Sequence, residues 1–296
     1  TMRELAKLAN VSISTVSKAF SGSDEISEET KNRIYDIAKE NGCFEKYYKP
    51  KYEKKIIAVI CPELLGIHYS QMVMHMEREI TEKGGTMLVS VSNFNAAAQN
   101  SLIEYYSKYI GVDGIIIIEP VGNVKNNSQV PIIQICYENN SKSTHCIKMD
   151  ITPGLNKAMK TLKELGHTKI GFVGEQHTEM EYGYFKDAMQ RSNMRINRDY
   201  IAINDYRFYD CGYYGIDSLI KSNKLPTAIF SAYSHVTIGI MQRLNEEQLR
   251  VPEDISVICM DDINVEPHKE FRLSCIRMHM EDLCSEAIHL MFRILG

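Results

Sequence analysis

The spacing of apolar positions along the 296-residue chain changes near residue 55. Before that point they recur three and four residues apart, which predicts helices; after it, short β-branched runs alternate with amphipathic stretches. The first 42 residues read as three helices and no strand. Thr1 with Glu4 fits a capping box, and Leu5, Leu8 and Ala9 form one apolar stripe. Asn10 tolerates the left-handed backbone of a tight helix end, and Val11 follows as a plug between helices. Ser12 caps a second helix, which runs through Thr15, Val16 and Ala19 to Phe20 and stops at Ser21-Gly22. Ser27 caps a third: Glu28 and Glu29 favour its positive end, Ile34, Ile37 and Ala38 supply its buried face, and Asn41-Gly42 closes it.

From Ile56 onward strands are expected at 56–61, 86–91, 114–118, 131–135, 169–173, 200–204, 227–231 and 255–260. Helices are expected between and after them at 70–83, 98–110, 154–165, 182–193, 212–222, 235–247 and 281–295. Such alternation marks an α/β fold, a parallel sheet covered on both faces. The strands suit one large sheet or two lobes. A break near Met149-Asp150-Ile151-Thr152-Pro153-Gly154 separates two groups of four and favours two lobes, with a ligand cleft between them. Residues 46–55, basic and aromatic around Pro50, have the composition of a linker.

Composition narrows the class. With 44% hydrophobic and 24% charged residues the chain can bury a full core, so disorder is not expected. It contains no apolar run long enough for a membrane span and no secretory pattern at its start, which places it in the cytoplasm and away from the membrane. The eight cysteines are scattered and avoid C-x-x-C spacing, as buried free thiols do. The net charge of −4 conceals an asymmetry: residues 1–55 carry +2 and the remainder −6. The sign suits nucleic acid at the N-terminal end, although so small an excess does not establish it.

The second helix is short, polar on one side and preceded by a tight turn, as a recognition helix in a major groove is. Ile13, Ser14 and Lys18 would point outward: Lys18 toward guanine acceptors, Ser14 toward several bases, Ile13 toward a thymine methyl. Ser12, Thr15 and Ser17 would hold phosphates, which set register. The pattern alone also admits a solvated three-helix bundle. The run Thr1-Met2-Arg3-Glu4-Leu5-Ala6-Lys7-Leu8-Ala9-Asn10-Val11-Ser12-Ile13-Ser14-Thr15-Val16-Ser17-Lys18, however, closely resembles the headpiece of the LacI/GalR family of bacterial repressors. The resemblance continues through Val112-Asp113-Gly114-Ile115, Leu165-Gly166-His167-Thr168-Lys169-Ile170 and Val251-Pro252-Glu253-Asp254-Ile255, ending in Met260-Asp261-Asp262. It therefore covers nearly the whole chain.

That resemblance implies a helix-turn-helix headpiece (1–45), the linker (46–55) and a periplasmic-binding-protein-like core (56–296) of two doubly wound parallel-sheet lobes. The N-terminal lobe would take about 56–150 and 278–296, and the C-terminal lobe about 151–277, with chain crossovers near 149–154 and 273–279. It further implies a homodimer on a near-palindromic double-stranded operator, regulated by a small-molecule effector in the cleft. Its sugar-contacting positions fall on Cys136, Glu181, Tyr233-Ser234 and Asp261, with His68 and Tyr69 opening the first cleft helix. Only Asp261 keeps the family's residue type, and Glu181 replaces an arginine. An acidic cleft disfavours a sugar phosphate and suits neutral hydroxyl-rich or cationic ligands.

The linker departs too. It lacks the family's Arg-Pro-Asn and Ala-Arg-x-Leu pattern, leaving either a wedge made by Tyr47, Tyr48 and Tyr52 with Lys49 and Lys51 on phosphates, or a flexible tether. Two other classes compete with a regulator. A solute receptor would need an export signal and no headpiece. An enzyme would need a nucleophile, metal or cofactor constellation, and none is visible, since Asp261-Asp262 has no phosphate loop or general-base partner and the histidines lack ligand spacing.

Overall fold

The computed structural model describes residues 1–48, 53–138, 141, 143–261 and 273–296. It divides into two compact units, Thr1–Lys55 and Ile56–Gly296.

The first unit contains α1 (Met2–Leu8), α2 (Ile13–Phe20), α3 (Glu28–Glu40) and a single further turn, α4 (Phe44–Tyr47). Local chemistry sets each boundary. Thr1 and Glu4 form the reciprocal capping box, while the Ser12 and Ser27 side chains accept from the Thr15 and Thr30 amides at 3.0 and 3.3 Å. Each such cap is worth about 1 kcal/mol. Asn10 takes the left-handed conformation, φ 54°, that turns the chain between α1 and α2. Leu5, Ala9, Val16, Ala19, Ile34 and Ala38 close the core. Leu8 departs from expectation and is 57% exposed, because Ala9, four residues from Leu5, occupies the inward position and leaves Leu8 on the flank.

The second unit holds two five-stranded parallel sheets. Strands β1 (Ile56–Cys61), β2 (Thr86–Val91), β3 (Gly114–Ile118), β4 (Ile132–Cys136) and β5 (His145–Lys148) form one, in the order β2-β1-β3-β4-β5. Strands β6 (Ile170–Glu175), β7 (Ile201–Asn204), β8 (Ala228–Ser231), β9 (Ser256–Cys259) and β10 (Ser274–Cys275) form the other, in the order β10-β9-β8-β6-β7. Both sheets are thus doubly wound, with their first strand second from an edge. Near-continuous apolar strands such as Gly114-Ile115-Ile116-Ile117-Ile118 are buried along their whole length, as helices on both faces require.

The covering helices are α5 (Ile67–Glu82), α6 (Ala96–Glu104, continued by a π-helical turn to Ile110), α7 (Thr152–Glu164), α8 (Glu179–Arg191), α9 (Phe208–Lys221), α10 (Ser234–Glu246) and α11 (Met280–Leu295). The chain leaves the first sheet after β5 and returns to it after β10, where α11 packs on α5, β3 and β4. Met149, Ile151 and Ile276 bury these crossovers in the shared core. Among the described residues no helix is long and apolar enough to cross a membrane.

Candidate functional site

In a doubly wound sheet the loops beyond the strand C-termini and the first turns of the following helices converge on one edge. Here the two lobes turn those edges toward each other. Glu63 follows β1, Glu119 follows β3 and Tyr137 follows β4; Glu175 ends β6, Tyr233 follows β8 and Asp261 follows β9. The first turns of α5, α8, α9 and α10 add His68, Tyr69, Glu181, Phe208 and His235. Together they line a cavity of about 660 Å³, its mouth included.

Arg207, just before α9, bridges the lobes. Its Nη1 and Nη2 donate to the two carboxylate oxygens of Glu63 at 3.1 and 2.8 Å, and its Nε to Glu175 Oε1 at 2.9 Å. Burial opposes the charge on the guanidinium, but the two carboxylates outweigh it and hold Arg207 firmly ionised. Tyr233 Oη donates to the same Glu175 oxygen at 2.8 Å and accepts from the Phe208 amide at 3.0 Å, which fixes the start of α9. The Phe94 ring, from the first lobe, stacks on His177 of the second at 4.1 Å with planes 10° apart.

Opposite this bridge lies a second charged group. His68 Nε2 is 3.1 Å from Glu119 Oε1, and its Nδ1 is 3.8 Å from Asp261 across the cleft. Tyr69 Oη donates to Glu119 Oε2 at 2.7 Å. Burial alone would depress the imidazole pKa; the Asp261 and Glu119 carboxylates override it and raise His68 well above its usual range, so the ring is an imidazolium. Glu119 carries φ 44°, a strained conformation for a residue with a Cβ, at the point where its carboxylate turns into the cavity. Glu181 faces the same space. Its Oε2 is buried with no hydrogen-bond partner, and desolvation, reinforced by the Glu119 charge, pushes its carboxyl up to about 8.

The structure brings His68, Tyr69, Glu181, Tyr233 and Asp261 together as expected candidates for ligand contact. Cys136 is not among the residues that line this cavity, although it lines an adjoining space with Glu119 and Tyr137. It is buried outside this cavity with its Sγ 3.0 Å from Cys146 Sγ on β5, because the end of β4 directs Cys136 toward the neighbouring strand and the next residue, Tyr137, into the cleft. Glu63, Phe94, Glu119, Glu175 and Arg207 escaped the sequence reading. Two left a usable signal, an acid directly after an apolar strand run: Glu119 after Ile115–Ile118 and Glu175 after Ile170–Gly174.

In the headpiece, α2 presents Ile13, Ser14 and Ser17 to solvent, with Thr15 and Lys18 half-buried. The Ser12 hydroxyl caps the helix and lies 2.8 Å from Thr15 Oγ1, while Lys18 Nζ is ion-paired with Glu25. Tyr47 and Tyr48 are not free to act as a wedge in this structure. Tyr48 stacks on Phe44 at 4.5 Å and meets Tyr35 edge-on at 5.2 Å; Tyr47 packs on Phe20 at 5.7 Å. Lys49, Lys51, Tyr52 and Asp262 lie outside the described residues.

A helix-turn-helix unit followed by a two-lobed, doubly wound core with a polar cleft defines an effector-binding, DNA-binding transcriptional regulator. Comparison with known proteins agrees. Residues 1–43 match bacterial regulatory proteins of the lacI family, and residues 159–296 the periplasmic binding protein-like domain. The chain is 26% identical over 317 residues to the HTH-type transcriptional regulator AscG of Escherichia coli strain K12, covering 100% of this chain and 92% of that protein. It is 24% identical over 319 residues to catabolite control protein A of Priestia megaterium, with the same coverage. The crystal structure of the lac repressor dimer bound to operator and the anti-inducer ONPF superposes with a TM-score of 0.71 at 18% identity, over 100% of this chain and 92% of that one. The headpiece thus matches the lacI family and the core the periplasmic binding protein-like domain, and the relatives that match over the whole chain are transcriptional regulators.

Proposed function

We propose that the protein is a cytoplasmic homodimeric repressor, in which paired headpieces read the halves of a near-palindromic operator and a small molecule other than a sugar phosphate sets DNA affinity from the cleft. The observation that carries this reading is the cross-lobe cavity, lined from both lobes and spanned by Arg207, which joins Glu63 to Glu175. A molecule that binds the bridged and separated lobes unequally shifts their equilibrium by about 1.4 kcal/mol for each tenfold difference, and one that binds both equally shifts nothing. Ile13, Ser14 and Lys18 are the base-reading candidates; Ser12, Thr15 and Ser17, with Lys49 and Lys51 beyond the described residues, are the phosphate-binding ones. Two-fold pairing follows from the short reach of one recognition helix, which spans only a half-site.

The test is selection of bound duplexes by the full chain, followed by protection mapping with and without small metabolites. A selected inverted repeat whose occupancy changes with a metabolite is the expected result. Recovery of no preferred sequence would refute the reading.

A further inference from the structure

The cavity lining is unbalanced in charge. Glu63, Glu119, Glu175, Glu181 and Asp261 contribute five carboxyl groups, against which stand the Arg207 guanidinium and the His68 imidazolium. The two cations are already committed. Arg207 spends its donors on Glu63 and Glu175, and His68 lies between Glu119 and Asp261. Glu181 is left over: it lines the cavity, and its Oε2 is buried and accepts no hydrogen bond. A carboxyl oxygen buried without a donor carries an unrecovered desolvation penalty, larger if it is ionised, and a donor brought by the ligand recovers it. Tyr69 and Tyr137 line the same cavity, and an aromatic face turned toward a ligand attracts a cation.

We propose that the effector carries a protonated nitrogen with at least one N–H, and that this ammonium docks on Glu181 beside the Glu119–His68–Asp261 group. The inference rests on the reading of the cleft as the effector site. An N–H is required, since a quaternary nitrogen satisfies the rings but cannot donate to the orphaned oxygen. A phosphate or carboxylate placed here would meet Glu119, Glu181 and Asp261 in a partly desolvated space. The groups that face Glu181 are His68 and Tyr69 on α5, Glu119 after β3, Tyr137 after β4 and Asp261 after β9, with Tyr184 on its own helix. Docking a cation among them converts a Glu181 that is largely neutral near pH 7 into the carboxylate, so binding expels a proton to solvent.

Calorimetry on the full chain, in phosphate and in HEPES, a zwitterionic sulfonate buffer of larger ionisation enthalpy, tests this with matched probes: glucamine, sorbitol and sorbitol phosphate, and putrescine against butanediol. The expected result is that an ammonium probe binds at least tenfold more tightly than its neutral partner, that it releases a fraction of a proton read from the buffer dependence, and that its affinity rises toward pH 8. Glu181→Gln should remove most of that preference and the proton release while changing the neutral probe by less than threefold. Circular dichroism of the variant checks that it folds, and proton release in the unmodified chain stands without it. Tighter binding of a neutral or phosphorylated probe, no proton release, an ammonium preference unchanged by Glu181→Gln, or no binding by either ammonium probe at millimolar concentration would each overturn the proposal. Tighter binding of sorbitol phosphate would also end the exclusion of sugar phosphates, but none of these outcomes touches effector control itself, which fails instead if no metabolite alters occupancy of the selected duplex.

Discussion

Two side chains illustrate how a charge is held for use. Lys18 is paired with Glu25, with the lysine side chain 42% and the glutamate 70% exposed, so the pair is screened by solvent, weak, and readily exchanged for a base edge or phosphate. Lys18→Ala should therefore leave headpiece stability nearly unchanged and relax base preference in each half-site at a cost of about 1–3 kcal/mol, checked by repeating duplex selection with the variant. Glu181 behaves in the opposite way. Its folded pKa is raised to about 8, so the folded state binds its proton more tightly than the unfolded chain does. Its stabilising effect is full below the unfolded carboxyl range and disappears as pH climbs through 8. Urea unfolding from pH 5 to pH 8 should show the natural chain losing stability relative to Glu181→Gln, by on the order of a few kcal/mol across the interval. His68 adds a loss at higher pH, since its raised imidazolium pKa means its contribution vanishes only when that ring deprotonates.

At the scale of elements, the cleft depends on how closely α9 and α10 approach. A Cβ on Gly239 would lie 2.0 Å from the Tyr209 carbonyl oxygen, and one on Gly212 1.9 Å from that of Val236. The two helices touch backbone to backbone, which brings Arg207 and Phe208 at the head of α9 to Tyr233 and His235 at the head of α10. Gly239→Ala cannot be absorbed by a flexible side chain and should destabilise the core by about 1–3 kcal/mol, read as a lower urea midpoint, with weakened ligand binding. Alternation and caps made most elements legible beforehand, because apolar strands and amphipathic helices announce their own periods. Strands β5 and β10 escaped: His145–Lys148 is half-exposed without a clean alternation, and Ser274–Cys275 is two exposed residues paired with β9 at the sheet edge. Helix starts were also read late, at 70, 182 and 212 where α5, α8 and α9 begin at Ile67, Glu179 and Phe208. The omitted turns hold His68, Glu181 and Phe208. Residues that face a polar cavity break the apolar period by which a helix is recognised, so the site was hidden at the places where the pattern fell silent. His68, Tyr69, Glu181, Tyr233 and Asp261 were reached through family resemblance; Glu63, Phe94 and Arg207 matter only once two distant lobes are folded against each other.

For the whole molecule, the decisive contact is the one that spans the cleft. Arg207 is about a quarter exposed and Glu63 about a tenth, so their paired hydrogen bonds are sheltered enough to count and accessible enough to break. Replacing Arg207 would strand two carboxylates, including the buried Glu175, and would confuse closure with stability. Glu63→Gln is the cleaner change. It keeps the shape and leaves Arg207 bound to Glu175 within the second lobe, while removing the charge from the first. The bridge should lose about 1–3 kcal/mol, the range for a hydrogen bond to a charged group, and the equilibrium should move toward separated lobes. Because only the bridged arrangement assembles both walls of the cavity, apparent ligand affinity should fall by the fraction of molecules that leave it, roughly tenfold for each 1.4 kcal/mol once the bridged form is the minority. Small-angle scattering should record a larger radius of gyration for Glu63→Gln than for the natural chain, and saturating ligand should restore the compact value. An unchanged radius with unchanged affinity would show that the Phe94–His177 stack and the His68–Asp261 contact hold the lobes together without the arginine.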